Sequence, residues 1–289
     1  MAEQELHANL PPPPRHVPWL LRLALLTRGG LALAGWLVFG LGGAMALVFG
    51  SFAEPWDDPF EGAAQATARV VATETMNLRV NSRRVHAVRF EWQADGATQR
   101  GTSYLEGTPP AVGATLAVRW LPGPPSRARA VGMRSAPLPR WARLTLAIPL
   151  VGLGLLVGAT VRSLRHVRLL CVGLPARGVC TAKRRTASKV NGRPVQILTF
   201  RYVDARGSAR TTEVRTHRVD PLLDDAEELL LYDPADGRAV LWDALPLRPL
   251  LDGSAGFAPP TTAEFTAGLI APTIAAVAWA IGQAIVGGG

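Results

Sequence analysis

Cysteine is nearly missing from this chain: Cys171 and Cys180 are the only two among 289 residues. That excludes a disulfide-stapled scaffold and any multi-cysteine metal framework. Lysine is equally scarce, with only Lys183 and Lys189, so almost every one of the 31 basic residues is arginine. Aromatic residues make up 7%. No HExxH, CxxC, GxSxG or Walker loop occurs, and metalloprotease, zinc-ribbon, α/β-hydrolase and P-loop chemistries lose their minimal parts. Acid is missing from one long window. Between Glu106 and Asp204 there is no Asp or Glu, while sixteen Arg and Lys occur, so that window carries +16 of a chain whose net charge is +9. Arginine, alanine, glycine and proline excess is what GC-rich coding produces, so the charge alone does not point to nucleic acid. The run Lys183-Arg184-Arg185 has no stacking aromatic beside it, and a nucleic-acid partner is not expected.

What the chain does have is apolar length. Residues 29–53 contain no charged side chain, and about 20 apolar residues suffice to cross a ~30 Å hydrocarbon core. Residues 144–161 form a second such run, and residues 265–287 a third, rich in Ala and Gly. A soluble domain of this size has no room to bury three helices of that kind, so a multi-pass membrane protein is expected. The first run is too long for the apolar part of a cleaved signal peptide and reads as a retained anchor. Arg15, Arg22 and Arg28 precede it and only Arg69 follows within twenty residues. The positive-inside rule then puts residues 54–143 outside, 162–264 inside and the C-terminus outside. Residues 1–28, with Pro11 to Pro14, read as an extended cytoplasmic tail. Gly154 and Gly158 have the spacing of a helix-pairing motif, which would allow a homo-oligomer through the membrane helices.

The two segments between the spans repeat one another. Adding 110 carries Val80-Asn81-Ser82-Arg83-Arg84-Val85 onto Val190-Asn191-Gly192-Arg193-Pro194-Val195, Phe90 onto Phe200 and Trp92 onto Tyr202. Further on, Asp95-Gly96 meets Arg206-Gly207, and Trp120-Leu121-Pro122 meets Tyr232-Asp233-Pro234. His86, Val88, Phe90 and Trp92 alternate with Ala87, Arg89 and Glu91, the period of a half-buried strand. Strands are also expected at Thr67–Thr75, Thr98–Leu105 and Leu116–Trp120, with their counterparts at Val179–Arg185, Thr211–Arg218 and Leu229–Tyr232. Gly96 and Gly207 supply tight turns. The fold class expected is three transmembrane α-helices plus two homologous small antiparallel all-β modules, at residues 62–135 and 172–245, each a sandwich or partly open barrel.

The ordered motifs Ala176-Arg177-Gly178-Val179, Asn191-Gly192, Phe200-Arg201-Tyr202-Val203-Asp204 with Gly207, and Tyr232-Asp233-Pro234 resemble the bacterial membrane-associated family called domain of unknown function 3592. The first copy departs from it, with Ser82 for Gly, Trp92 for Tyr and Trp120-Leu121-Pro122 for Tyr-Asp-Pro. The resemblance implies β-rich modules beside membrane helices, in a bacterial inner membrane, and brings no catalytic residue.

Candidate chemistry is sparse. His7 and His16 lie in the proline-rich tail, His86 shares a strand face with Phe90, and His217 sits between arginines. Asp224, Asp225, Glu227 and Glu228 read as a helical turn with acids at its positive end. The two cysteines read as packed thiols. No catalytic residue, cofactor or metal ligand is expected. Arg162, Arg165, His166 and Arg168, just past the second span, are the candidate contacts to anionic lipid headgroups. The leading expectation is a non-catalytic envelope scaffold or interaction protein. A transporter or channel subunit is the alternative, weakened by spans that offer only Thr145, Thr160, Thr266, Thr273 and Gln283 as polar groups.

Overall fold

In the computed structural model the described residues are 10–94, 96–123, 127–190, 192–217, 219, 222–223, 226–247, 249–251 and 256–287. They contain four α-helices: α1 (Trp19–Thr27), α2 (Gly30–Ser51), α3 (Ala147–Val172) and α4 (Thr262–Gly287). The last three are long and apolar enough to cross a membrane. Their aliphatic side chains face outward: Leu150 is 68% exposed, Val151 60% and Ile281 56%. The strands form two five-stranded antiparallel sheets, one from β1 (Ala64–Val80), β2 (Arg83–Ala94), β3 (Ala97–Glu106), β4 (Thr115–Leu121) and β5 (Arg127–Ala130), and one from β6 (Leu174–Val190), β7 (Arg193–Val203), β8 (Ala209–Thr216), β9 (Glu228–Tyr232) and β10 (Ala239–Leu241).

The repeat read from the sequence is reproduced strand by strand. The orders β3-β2-β1-β4-β5 and β8-β7-β6-β9-β10 are the same order. Val70 pairs with Phe90 as Cys180 pairs with Phe200, and Ala64 pairs with Trp120 as Leu174 pairs with Tyr232. Even the irregularities coincide, at Val70/Ala72 and Cys180/Ala182 and again at Thr75/Arg79 and Arg185/Lys189. An extra residue in one strand bends it and sharpens its twist, so both sheets are kinked at the same place. Each copy is one sheet, with no second layer stacked on it as a sandwich would have. The edge strands approach one another: Tyr104 exchanges backbone hydrogen bonds of 2.9 Å with Arg134 just past β5, and the Thr212 hydroxyl donates to the Ala239 carbonyl at 3.0 Å.

The chain divides into two compact units, residues 38–150 with 276–289, and residues 1–37 with 151–275. In the first, the inner sheet face closes over Phe90, Trp92, Val118 and Ala130, and Val80 and Val85 at the β1–β2 end pack on Ala53, Leu138 and Ala142. Here α2 and α4 approach through small residues, as membrane helices do for want of a hydrophobic drive. Gly43 lies under the Trp279 indole, whose Nε1–H donates to the Phe39 carbonyl at 3.3 Å, and Gly282 lies against Ala44.

The second unit corrects two expectations. Residues 10–28 are not an extended tail. Val17, Leu21, Ala24 and Leu25 are at most 1% exposed and join Leu170, Leu229, Leu231, Trp242 and Phe257 in one core. The Arg15 guanidinium donates to the carbonyls of Gly173 (2.7 Å) and Leu170 (3.3 Å), placing a cation where α3 exposes its last carbonyls. Helix α3 also continues to Val172 instead of stopping at 161, so the expected juxtamembrane arginines are helical. A side chain at Gly158 would meet Leu31 of α2 at 3.7 Å and one at Gly35 would press on Leu156, whereas one at Gly154 would meet nothing. Pro149 falls in the first turn of α3, where proline is tolerated.

Candidate functional site

The motif residues of the second copy meet at one end of its sheet. On β7 the inward positions are Leu198, Phe200 and Tyr202, all at most 1% exposed, and Tyr232 at the end of β9 is 3% exposed. Their rings pack with centroids 5.5 Å apart. Each hydroxyl then holds a loop. Tyr202 donates to the Gly237 carbonyl at 2.8 Å, between β9 and β10, and Tyr232 accepts the Ala205 N–H at 2.6 Å, between β7 and β8. Burial raises the pKa of Tyr202, so the phenol stays a donor.

The two motif aspartates finish the same end. Asp204 accepts the backbone N–H groups of Arg206 and Ser208 at 2.9 Å each, and the Arg210 guanidinium at 2.9 Å. The Arg210 hydrogen bond first, and the Ser208 amide after it, hold its carboxyl below the usual carboxylate range. Gly207 takes φ +78° in that turn, as expected of it. Asp233, 3% exposed, accepts the Ala235 N–H at 2.9 Å and the Arg168 Nε–H at 2.7 Å. It therefore ties α3 to the sheet across 65 positions of sequence. The side chains of the Phe-x-Tyr-x-Asp and Tyr-Asp-Pro motifs thus hold the loops at this end of the module.

Of the four expected headgroup contacts, Arg162, Arg165 and Arg168 are exposed. His166 is turned inward and 5% exposed. Arg168 is engaged by Asp233. The structure thus splits a run that looked uniform, because 3.6 residues per turn put neighbours on different faces. Of the acidic run, Glu228 opens β9 opposite Gly178, while Asp224 and Asp225 lie outside the described residues. His7 also lies outside them. His86 bonds Thr75 Oγ1 through Nδ1 at 3.1 Å, the role of a satisfied strand polar group. Both cysteines are free thiols and half-buried. Among the described residues no three His, Cys, Asp or Glu gather where a metal could be held.

Beside the sealed end lies a cleft of about 800 Å³, walled by Val179, Val203, Tyr232 and the rim residues Arg177, Arg201 and Glu227. Its floor is apolar, and Arg177 lies 3.5 Å from Glu227. Of the hydroxyls that line it, Thr181 donates to the Thr199 carbonyl, Tyr202 donates to the Gly237 carbonyl, and Tyr232 accepts the Ala205 N–H.

The first copy lacks these devices. Trp92 stands for Tyr202, Ala94 for Asp204, Trp120 for Tyr232 and Leu121 for Asp233 by strand register. The Trp92 indole N–H is buried with no acceptor among the described residues. That copy is braced instead from outside the sheet. Arg129 bonds Asp58 at 2.6 Å and Glu54 at 3.4 Å and lies over the Phe60 ring at 5.2 Å. The bond to Arg129, chiefly, holds the Asp58 carboxyl below its ordinary pKa. Comparison with known proteins finds no matching family model, no matching curated protein and no matching solved structure.

Proposed function

We propose that this is a multi-pass membrane protein whose two β modules are non-catalytic docking units, an envelope scaffold or interaction protein. The observation that carries this reading is the outward-facing aliphatic surface of α2, α3 and α4. In water such a surface costs about 25 cal/mol per Å², and lipid removes that cost. Two sheets of identical strand order attached to those helices then read as a duplicated module anchored at a bilayer. The ordered motifs of the second copy support placing it with the family of domain of unknown function 3592 and in a bacterial inner membrane. Strand edges β3 and β8 offer backbone groups to a partner strand, and pairing of the helices with a second copy would add valency. Polar side chains of the second copy's sealed end are consumed by its own loops, which favours docking over chemistry.

The test is topology mapping. A reporter fused near residue 100 and another near residue 210 should report opposite sides of the membrane, because three crossings separate the modules by one span. Reporters on the same side would overturn the arrangement of the modules.

A further inference from the structure

The second copy carries a basic hollow that the first copy does not have. Bulge and register place Arg184 opposite Ile197 on β7, and Ile197 opposite Arg215 on β8. Directly paired residues point to the same face of a sheet, and adjacent strands lie about 4.8 Å apart. Arg184 and Arg215 therefore straddle Ile197. With Arg185 and the hydroxyl residues Thr186 and Ser188 they wall a hollow of about 350 Å³. All three arginines are exposed, and among the described residues none is in an ion pair. The one acid on these three strands is Glu213 on β8, and no ion pair joins it to the three arginines.

The corresponding positions of the first copy have been used differently. Arg184, Arg185 and Arg215 fall by register on Glu74, Thr75 and Tyr104. Glu74 pairs with Arg89 at 3.0 Å and Thr75 with His86. Val80 and Val85, at the end of that hairpin, are 5% and 0% exposed beneath Ala53 and Ala142. Their counterparts are uncovered: Val190 is 39% exposed. One copy has neutralised and covered this end. The other leaves it open, basic and apolar-tipped.

The place of the hollow says what meets it. Arg215 and His217 also wall a neighbouring recess of about 720 Å³ whose other residues include Arg28, Gly30 and Glu264. Those residues stand at the feet of α2 and α4, where an apolar helix meets the headgroup layer. We infer that Arg184, Arg185 and Arg215 form a binding site for the phosphate of an anionic phospholipid in the leaflet at the feet of α2 and α4, with Val190 entering the acyl boundary. Arginine forks suit phosphate oxygens, Ser188 can donate a further hydrogen bond while the Thr186 hydroxyl is held by the Val195 carbonyl at 2.8 Å, and the site's net positive charge disfavours zwitterionic lipid by comparison. The inference rests on the membrane reading and adds a lipid class and three residues to it. These are not the helical arginines of α3.

The test uses the full-length protein in neutral detergent micelles. Its thermal midpoint is titrated with short-chain phosphatidylglycerol, with short-chain phosphatidylcholine and with inorganic phosphate. Phosphatidylglycerol should bind at least tenfold more tightly than the other two. The variant carrying Arg184→Gln, Arg185→Gln and Arg215→Gln should lose about 100-fold in phosphatidylglycerol affinity, roughly fivefold per charge. All three side chains are exposed, so its lipid-free midpoint should match the parent. A second triple variant, Arg83→Gln, Arg84→Gln and Arg100→Gln, changes charge equally in the first copy and should keep the parent's affinity. Equal loss in both variants, or no loss in either, overturns the site. Inorganic phosphate binding as tightly as the lipid overturns the lipid assignment. Failure of the membrane reading would show separately, as a protein that needs no detergent.

Discussion

Docking of the N-terminal segment is open to a quantitative check, because its contacts are local and well defined. Leu21 and Leu25 are each 0% exposed, one helical turn apart, in the core shared by Leu170, Leu231, Trp242 and Phe257. Truncating a buried leucine to alanine costs about 2–5 kcal/mol from lost transfer energy and the cavity left behind. Leu21→Ala and Leu25→Ala should each fall near the middle, about 3 kcal/mol. Since they share neighbours, the double variant should lose less than the sum, roughly 5 kcal/mol. For a unit of about 150 residues each kcal/mol moves the midpoint by roughly 2–4 °C, so each single variant should drop by about 6–12 °C. The assay is trypsin pulse proteolysis of the detergent-solubilised protein across a temperature series, with fragments identified by mass. Cleavage should advance in the arginine-rich residues 174–216 while those of 64–130 stay protected. Trp19→Ala is the control: that side chain is 69% exposed and should shift nothing beyond about 0.5 kcal/mol. A double variant that melts with its parent would refute the idea that residues 17–25 belong to this core.

Two further expectations concern the hairpins and the sealed end. In the first copy Asn81 and Ser82 take φ +48° and +66°, where the second has Gly192 at +78°; Ser82→Gly should stabilise the first module by about 0.5–1 kcal/mol and Gly192→Ser should destabilise the second by a similar amount, read from urea midpoints. Asp204 has a lowered folded pKa, so its stabilising effect is complete above the unfolded carboxylate value of about 3.9 and is lost as pH falls through the folded value. Asp204→Asn should therefore be less stable than the parent at pH 7 and should lose less between pH 5 and pH 2; parallel pH profiles would contradict this.

How much of this was readable beforehand depended on whether the signal was local. The duplicated hairpins were legible because Val88, Phe90 and Trp92, and again Leu198, Phe200 and Tyr202, alternate over enough residues to declare a strand. Gly96 and Gly207 marked their turns, and three uncharged runs marked the long helices. β5 and β10 were missed, since four and three residues are too short for any period to show. α1 was missed for a different reason: Pro11 to Pro14 suggested an open tail, although Val17, Leu21, Ala24 and Leu25 already carried the i, i+4, i+7, i+8 spacing of an amphipathic helix. The Arg168–Asp233 bond joins side chains that no sequence window contains together, and only the fold turns a headgroup candidate into a strut. His166 shows the same limit, since its neighbours Arg165 and Arg162 face outward while it faces in. The basic hollow was visible as the run Lys183-Arg184-Arg185, but its third arginine comes from β8.

The anchoring of both modules in lipid is tested most directly by fractionating cells that make the chain and washing the membranes with alkaline carbonate. The protein should stay with the sedimented membranes and enter solution only when detergent is added. Recovery of folded, full-length protein in the wash would contradict the account.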